Sequence, residues 1–223
     1  DTDNSWDQGV LLPSALGNYV WRDNDDDGLQ TGGEPGINTV TVRLLDGSGV
    51  AVDNPNTAGT QNYTTTTNSS GIYAFTNLYP GSYIVEWVTP SGYKRADYLV
   101  GAGANAASDS DMQTAGPDAG RTPVITLPYN TTDDSWDAGF VPLAAIGNFV
   151  WRDDDNDGIQ DGGEPGINGV TVRLYDATNL SPPLATTTTA NVGGNDGRYS
   201  FTNLDPDLDY VVEFVLPTPS AGQ

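Results

Sequence analysis

Neither cysteine nor histidine occurs anywhere in the 223 residues. Without cysteine, no disulfide staples the fold and no thiol redox chemistry is available. Without histidine, the chain lacks the commonest general base and the commonest transition-metal ligand. Basic residues are nearly as scarce: seven Arg and one Lys stand against 26 Asp and four Glu, for a net charge of −22. Eight scattered cations cannot build a basic patch, so nucleic acid is not an expected partner. Strong helix formers are few, with four Glu, one Lys and one Met. No apolar run reaches transmembrane length and no signal peptide stands at Asp1. Membrane insertion is therefore not expected, and the chain reads as a mature or excised piece of something larger.

What remains is rich in Thr, Ser, Asn, Asp and Gly, with 36% apolar residues. That composition favours strands and turns and predicts an all-β protein. The acidity raises a separate question. Self-repulsion on this scale opposes compaction unless cations neutralise it, and only residue spacing can tell specific cation sites from a generally acidic surface.

The chain repeats itself. "DNSWDQGVLLPSALGNYVWRD" from Asp3 matches "DDSWDAGFVPLAAIGNFVWRD" from Asp133, an offset of 130 residues. "EPGINTVTVRLLD" matches "EPGINGVTVRLYD", and "GIYAFTNLYPGSYIVEWV" matches "GRYSFTNLDPDLDYVVEFV". A unit of this length is too long for a solenoid repeat and suits one β-sandwich. The alignment assigns 1–12 to a terminal strand of a preceding or neighbouring unit. It makes 13–143 a complete sandwich, and 144–223 a second sandwich lacking its C-terminal strands.

Strand signals have period two. Val40, Val42 and Leu44 share one face, as do Val170, Val172 and Leu174; Tyr83, Val85 and Trp87 form another. Thr-rich "NYTTTT" and "TTTTA" suit edge strands. About seven short strands per unit, with no crossover helices between them, predict tandem Greek-key sandwiches of immunoglobulin-like or prealbumin-like type.

Two loops carry the chemistry. "DNDDDGLQTGGE" begins at Asp23 and "DDDNDGIQDGGE" at Asp153. Each places acidic or polar residues at positions 1, 3, 5 and 9, Gly at 6 and Glu at 12, the spacing of an EF-hand calcium loop. The expected ligands in the first are Asp23, Asp25, Asp27, the Leu29 carbonyl, Thr31 and bidentate Glu34. In the second they are Asp153, Asp155, Asp157, the Ile159 carbonyl, Asp161 and Glu164. A merely solvated turn explains Asp and Gly. It does not explain Glu at position 12 twice when the chain has four Glu in all. Calcium is preferred to magnesium, which demands a strict octahedron and keeps its waters. Glu34 and Glu164 each precede Pro-Gly, which pushes them away from helical backbone. These are therefore EF-hand-like loops set between strands, suited to clamping a domain and not to opening a helical groove. Asp161 in place of Thr31 predicts tighter binding at the second loop.

The string "LGNYVWRDNDDDGLQTGGEPGINTVTVRLLD", followed by "GIYAFTNLYPGSYIVEW", "SDSDMQTAGPDAGRTPVITL" and "DDSWDAGF", resembles the SdrD B-like repeats of serine–aspartate repeat surface proteins. These are related to the collagen-adhesin B-type sandwich. The resemblance implies an extracellular, surface-anchored protein whose tandem domains form a calcium-stiffened stalk. It also implies further calcium ligands, for which Asp109, Asp111 and Asp137 are candidates. Related sandwiches often carry a Lys–Asn isopeptide bond, but Lys94 is the only lysine and lies outside the first strand. Glu86 and Glu213, near the place of that crosslink's acid, read as exposed strand residues without partners.

The expected function is a non-catalytic shaft module of a bacterial adhesin or filament, partnered by neighbouring domains or identical subunits. Any host or matrix ligand would be met by other domains. A variant has "SWDQGV" of one copy completing the open sandwich of another, giving a filament. The alternative is a ligand- or carbohydrate-binding module built on the five Trp. Against it, Trp21 and Trp151 flank the loops, Trp87 lies on the core face, and Trp6 and Trp136 are repeat-matched.

Overall fold

Period-two patterning becomes strands throughout a computed structural model of the chain, which describes residues 12–98 and 108–215. These residues form strands, turns and bends, with no helix among them. The protein is all-β. It divides into two units, one ending at Pro142 and the other starting at Leu143. The repeat alignment sets that join one residue later. Of the terminal strand expected at 1–12, residues 1–11 lie outside the described residues.

Among its described residues unit 1 has nine strands: β1 (Ser14–Arg22), β2 (Thr41–Asp46), β3 (Thr64–Thr66), β4 (Ile72–Leu78), β5 (Gly81–Trp87), β6 (Tyr93–Arg95), β7 (Ile125–Leu127), β8 (Thr132–Asp133) and β9 (Ala138–Pro142). One sheet runs β4-β1-β9-β6, with β8 also against β1; the other runs β3-β2-β5-β7. Val42 and Leu44 of β2 and Val85 and Trp87 of β5 meet Leu16 and Val20 of β1 and Phe75 of β4 in one buried cluster. Each fully buried Leu or Phe contributes roughly 1.5–3 kcal/mol. Tyr63 and Tyr73 both pack edge-on against Phe75, at 4.9 and 6.0 Å between ring centres, the geometry that aromatic quadrupoles favour.

Two pairings depart from the antiparallel expectation, and the first is β8 against β1, parallel with Ala15 opposite Thr132. In the second, β9 lies parallel to β1, with Val20 opposite Ala138 and Trp21 opposite Gly139. No crossover helix is needed, because nearly the whole unit lies between the two strands and serves as the connection. The Thr-rich run does make an edge strand, β3, whose only strand partner among the described residues is β2. Its last residue does something else. Buried Thr67 accepts a hydrogen bond from the Val40 amide (2.9 Å) and donates one to the Ile37 carbonyl (2.6 Å). Thr189 repeats both bonds with Val170 and Ile167.

Unit 2 contains β10 (Ala144–Phe149), β11 (Thr171–Asp176), β12 (Ala185–Thr188), β13 (Ala190–Val192), β14 (Asn195–Leu204) and β15 (Tyr210–Val215). They form two three-stranded sheets, β10-β14-β13 and β12-β11-β15. Val172, Leu174 and Phe201 are its buried centre, with Ile146, Tyr199 and Val212 partly covered around them.

Candidate metal centres

Each acidic loop leaves one sheet and enters the other: the first joins β1 to β2, the second β10 to β11. Backbone hydrogen bonds close both at the neck. The Arg22 amide donates to the Pro35 carbonyl and the Ile37 amide to the Val20 carbonyl, each at 2.9 Å. The same pair recurs from Arg152 to Pro165 (3.0 Å) and from Ile167 to Val150 (2.8 Å). Inside the neck the chain must reverse tightly. Gly28 and Gly158 take φ of +71° and +77°, in the left-handed region that a glycine adopts without steric cost.

The carboxylates organise the turn. Asp23 accepts from the Asp26 amide (2.6 Å) on one oxygen and from the Gly28 amide (2.9 Å) on the other. Asp153 does the same with the Asn156 (2.6 Å) and Gly158 (3.0 Å) amides. Glu34 spans its loop, one oxygen accepting from Asn24 (2.7 Å) and the other from Thr31 (2.9 Å). Glu164 spans its own between Asp154 (2.7 Å) and Asp161 (3.0 Å). Asp27 and Asp157 take the amides of Leu29 (2.8 Å) and Ile159 (2.7 Å). Each carboxylate oxygen has a second lone pair to offer an ion.

These bonds gather most of the expected ligands. Oxygens of Asp23, Asp25 and Asp27 lie within 4.8 Å of one another, close enough to hold a metal ion. In the second loop Asp155 belongs to two such groups, one with Asp153 and Glu164 and one with Asp157 and Asp161. Glu34 does not fall in the first group; it is tied to Thr31, whose amide donates to its carboxylate (2.9 Å) and whose carbonyl accepts from its amide (3.4 Å). Burial raises the Asp23 carboxyl above its ordinary range, against the lowering effect of its two amide donors.

The further candidates assemble around the first loop. Residues 108–110 run beside it: the Gln30 amide donates to the Ser108 carbonyl (2.7 Å), and the Ser110 amide to the Gly28 carbonyl (2.9 Å). Asp109 bridges Leu29 there. It is buried, and its Oδ1 has no hydrogen-bond partner. Asp111 and Asp137 pair with each other. The Asp137 amide donates to the Asp111 carboxylate (2.8 Å), and the Asp111 amide to the Asp137 carbonyl (2.9 Å). Asp137 also accepts from the Tyr19 amide (3.0 Å) and from Asn18 Nδ2 (3.2 Å). Burial pushes Asp111 up to about 7 and Asp137 up to about 8, with the neighbouring carboxylates adding to both. An orphaned buried oxygen and two carboxyls that resist ionising fit a cation-binding role for this cluster.

Sequence reading missed several partners. Lys94, on β6, lies 2.6 Å from Asp26 in the first loop. Asp133 accepts from the Trp136 indole at 3.0 Å, fixing a ring that packs against the core; its match to Asp3 in the repeat was the available signal. Glu86 and Glu213 are not unpartnered. Glu86 bonds Arg43 (3.0 Å) and Arg121 (2.9 Å), whose guanidiniums outweigh burial and lower its carboxyl. Glu213 bonds Arg173 (3.2 Å) and the Tyr175 hydroxyl (2.7 Å). A cross-strand register decides such pairings, and composition does not reveal it.

The chain matches the SdrD B-like domain family over residues 14–140 and again over 144–221. It belongs to the SdrD B-like domain family. As an SdrD B-like protein it is a structural module and not an enzyme. Serine-aspartate repeat-containing protein F of Staphylococcus epidermidis is 39% identical over 221 residues, covering 97% of this chain and 11% of that protein. Serine-aspartate repeat-containing protein I of Staphylococcus saprophyticus is 35% identical, covering 94% and 10%. Bone sialoprotein-binding protein of Staphylococcus aureus is 36% identical, covering 91% and 15%. The chain thus spans a small part of the curated relatives it matches. Among solved structures, a streptococcal ancillary pilin gives a TM-score of 0.40 at 12% identity, covering 98% of this chain and 61% of its own. Shaft pilin SpaA of Lactobacillus rhamnosus GG gives 0.33 at 12%, covering 94% and 89%. Scores this low add nothing to the fold read directly from the sheets.

Proposed function

We propose that this chain is a calcium-stabilised shaft module of an extracellular, cell-surface adhesin or filament. One observation carries the reading: each acidic loop is a closed neck linking the two sheets of its sandwich, with its carboxylates gathered inside. In the first loop the ion is held by Asp23, Asp25, Asp27, the Leu29 carbonyl, Thr31 and Glu34. In the second it is held by Asp153, Asp155, Asp157, the Ile159 carbonyl, Asp161 and Glu164. Asp109, Asp111 and Asp137 form an additional site beside the first loop. Calcium supplies positive charge where five acidic groups crowd one loop and six the other. The protein's own work is to fix the ligand turn and carry its rigidity into both sheets. Partners are neighbouring domains of the same protein or identical subunits. A host or matrix ligand is engaged by other domains. A sugar platform on tryptophan is disfavoured, because Trp21 and Trp87 are buried and Trp136 packs against the core.

Extracellular calcium modules bind at roughly 10⁻⁴–10⁻³ M. At free calcium about ten times the dissociation constant, each site adds about 1.4 kcal/mol by mass action. Thermal melting of the chain in calcium and in EGTA tests the proposal. The melt is expected to fall by several degrees on chelation, and Glu34→Gln and Glu164→Gln are each expected to remove part of that difference. An unchanged melt would overturn the calcium clamp.

A further inference from the structure

The chain's one lysine stands against its first acidic loop. Lys94 Nζ lies 2.6 Å from an Asp26 oxygen, and the two side chains are only 23% and 17% exposed. The strand that carries Lys94 fixes its place: β6 runs antiparallel to β9, with Lys94 opposite Val141 and Arg95 opposite Phe140. The Phe140 carbonyl in turn accepts from the Asp23 amide at 3.1 Å. Asp26 adopts φ of +56° and donates its own amide to Asp23 Oδ1 at 2.6 Å. β6, β9 and the turn of the loop thus form one closed circuit of contacts, and Lys94–Asp26 is its charged link.

Asp26 stands at the fourth loop position, outside the expected ligand set, so a cation rests on it without taking a ligand oxygen. Asp23, Asp25, Asp26, Asp27 and Glu34 crowd this loop and repel one another when no metal neutralises them. We infer that Lys94 is a built-in counter-ion of the first loop: it holds the ligand turn folded without calcium and yields that role when the ion arrives. This role rests on the calcium reading above and deepens it, by naming a residue that regulates the site. Its sign follows from charge. An ammonium steadies the metal-free carboxylates but repels a divalent cation seated among them, so the pair contributes more without calcium than with it. By linkage, a contact that stabilises the empty loop more than the loaded one weakens calcium binding by the same factor. Cover over both side chains limits the screening that makes exposed pairs weak. The second loop lacks the carboxylate for such a pair. Asn156, at φ of +61°, makes the same turn and the same amide bond to Asp153 without a charge. Its own ion pair, Arg152 with Asp154, is exposed on both sides and contributes little.

The Gly28 amide, bonded to Asp23, reports on the turn, and its hydrogen exchange in the full chain tests the inference through a double-mutant cycle of Lys94→Gln and Asp26→Asn. In EGTA, Lys94→Gln is expected to speed Gly28 exchange several-fold, with clear coupling between the two substitutions. In saturating calcium the coupling is expected to shrink. Isothermal titration in a Glu164→Gln background, which disables the second loop, supplies the second readout. Lys94→Gln is expected to tighten calcium at the first loop several-fold, and the double variant to return close to wild type. Lys94→Met, which keeps the alkyl stem, should match Lys94→Gln, while Lys94→Arg should match wild type. Weaker calcium binding in both neutral variants, no coupling in EGTA, or equal coupling with and without calcium would each overturn the inference and leave Lys94 as an ordinary structural contact. If calcium leaves Gly28 exchange unchanged in wild type, the calcium reading falls and this role falls with it; the other failures strike the role of Lys94 alone.

Discussion

Asp23 and Asp153 open their loops with the same two amide bonds, yet Asp23 is fully buried and Asp153 is exposed. The difference lies in what surrounds the turn. Around the first loop stand residues 108–110, Lys94, and the Phe140 carbonyl, which accepts from the Asp23 amide at 3.1 Å. Among the described residues none of these has a counterpart at the second loop. The sequence of a ligand turn therefore sets its local hydrogen bonds, while long-range neighbours set how rigidly and how dry it is held. Charge and preorganisation also diverge: the second loop carries Asp161 where the first has Thr31, and the first has the firmer seat.

Three experiments sharpen the contrast. The largest effect is expected from tryptophan truncation at the root of each loop. Trp21 is fully buried and Trp151 only partly so. Trp21→Ala should cost about 3–5 kcal/mol in urea unfolding of unit 1, and Trp151→Ala clearly less in unit 2. Equal costs would show that the two roots are packed alike.

The next effect follows from pH. Asp111 and Asp137 hold their protons up to about 7 and about 8, against an ordinary carboxyl near 3.8 in the unfolded chain. The folded state thus binds more protons than the unfolded state across that interval. The stability they contribute is complete below about pH 4 and is lost as pH rises through 7 to 8. Glu86 is shifted down, so it titrates below this window and does not mask it. In EGTA, unit 1 should melt lower at pH 8 than at pH 5, and saturating calcium should remove the difference. A flat metal-free profile would show that the pair ionises freely.

The smallest effect isolates charge. Adding a unit charge near 4 Å is worth about 1 kcal/mol in water-like surroundings, so Thr31→Asp should tighten calcium at the first loop several-fold in isothermal titration. Equal affinity for variant and wild type would mean that the seat, and not the ligand count, governs binding there.

Much of this was legible in the sequence because it is local. Spacing in "DNDDDGLQTGGE" specifies which carboxylate caps which amide. Period two in "TVTVRLL" and "SYIVEWV" specifies which faces meet in the core, and Val42, Val85 and Trp87 are buried accordingly. What escaped is set by contacts across the chain. The bond from the Gln30 amide to the Ser108 carbonyl joins residues far apart in sequence. Asp137 reaches back to Asn18 and Tyr19 only because β9 runs parallel to β1. Thr67 ends the Thr-rich run that suits an edge strand, and only register turns its hydroxyl inward between Val40 and Ile37.

The β1–β9 pairing also has a mechanical meaning. The two strands are adjacent and parallel, so the polypeptide enters unit 1 at one end of the pair and leaves at the other. A pull between Ser14 and Pro142 runs along both strands and loads their hydrogen bonds together, in shear. The bonds then share the tension instead of parting one after another like a zip.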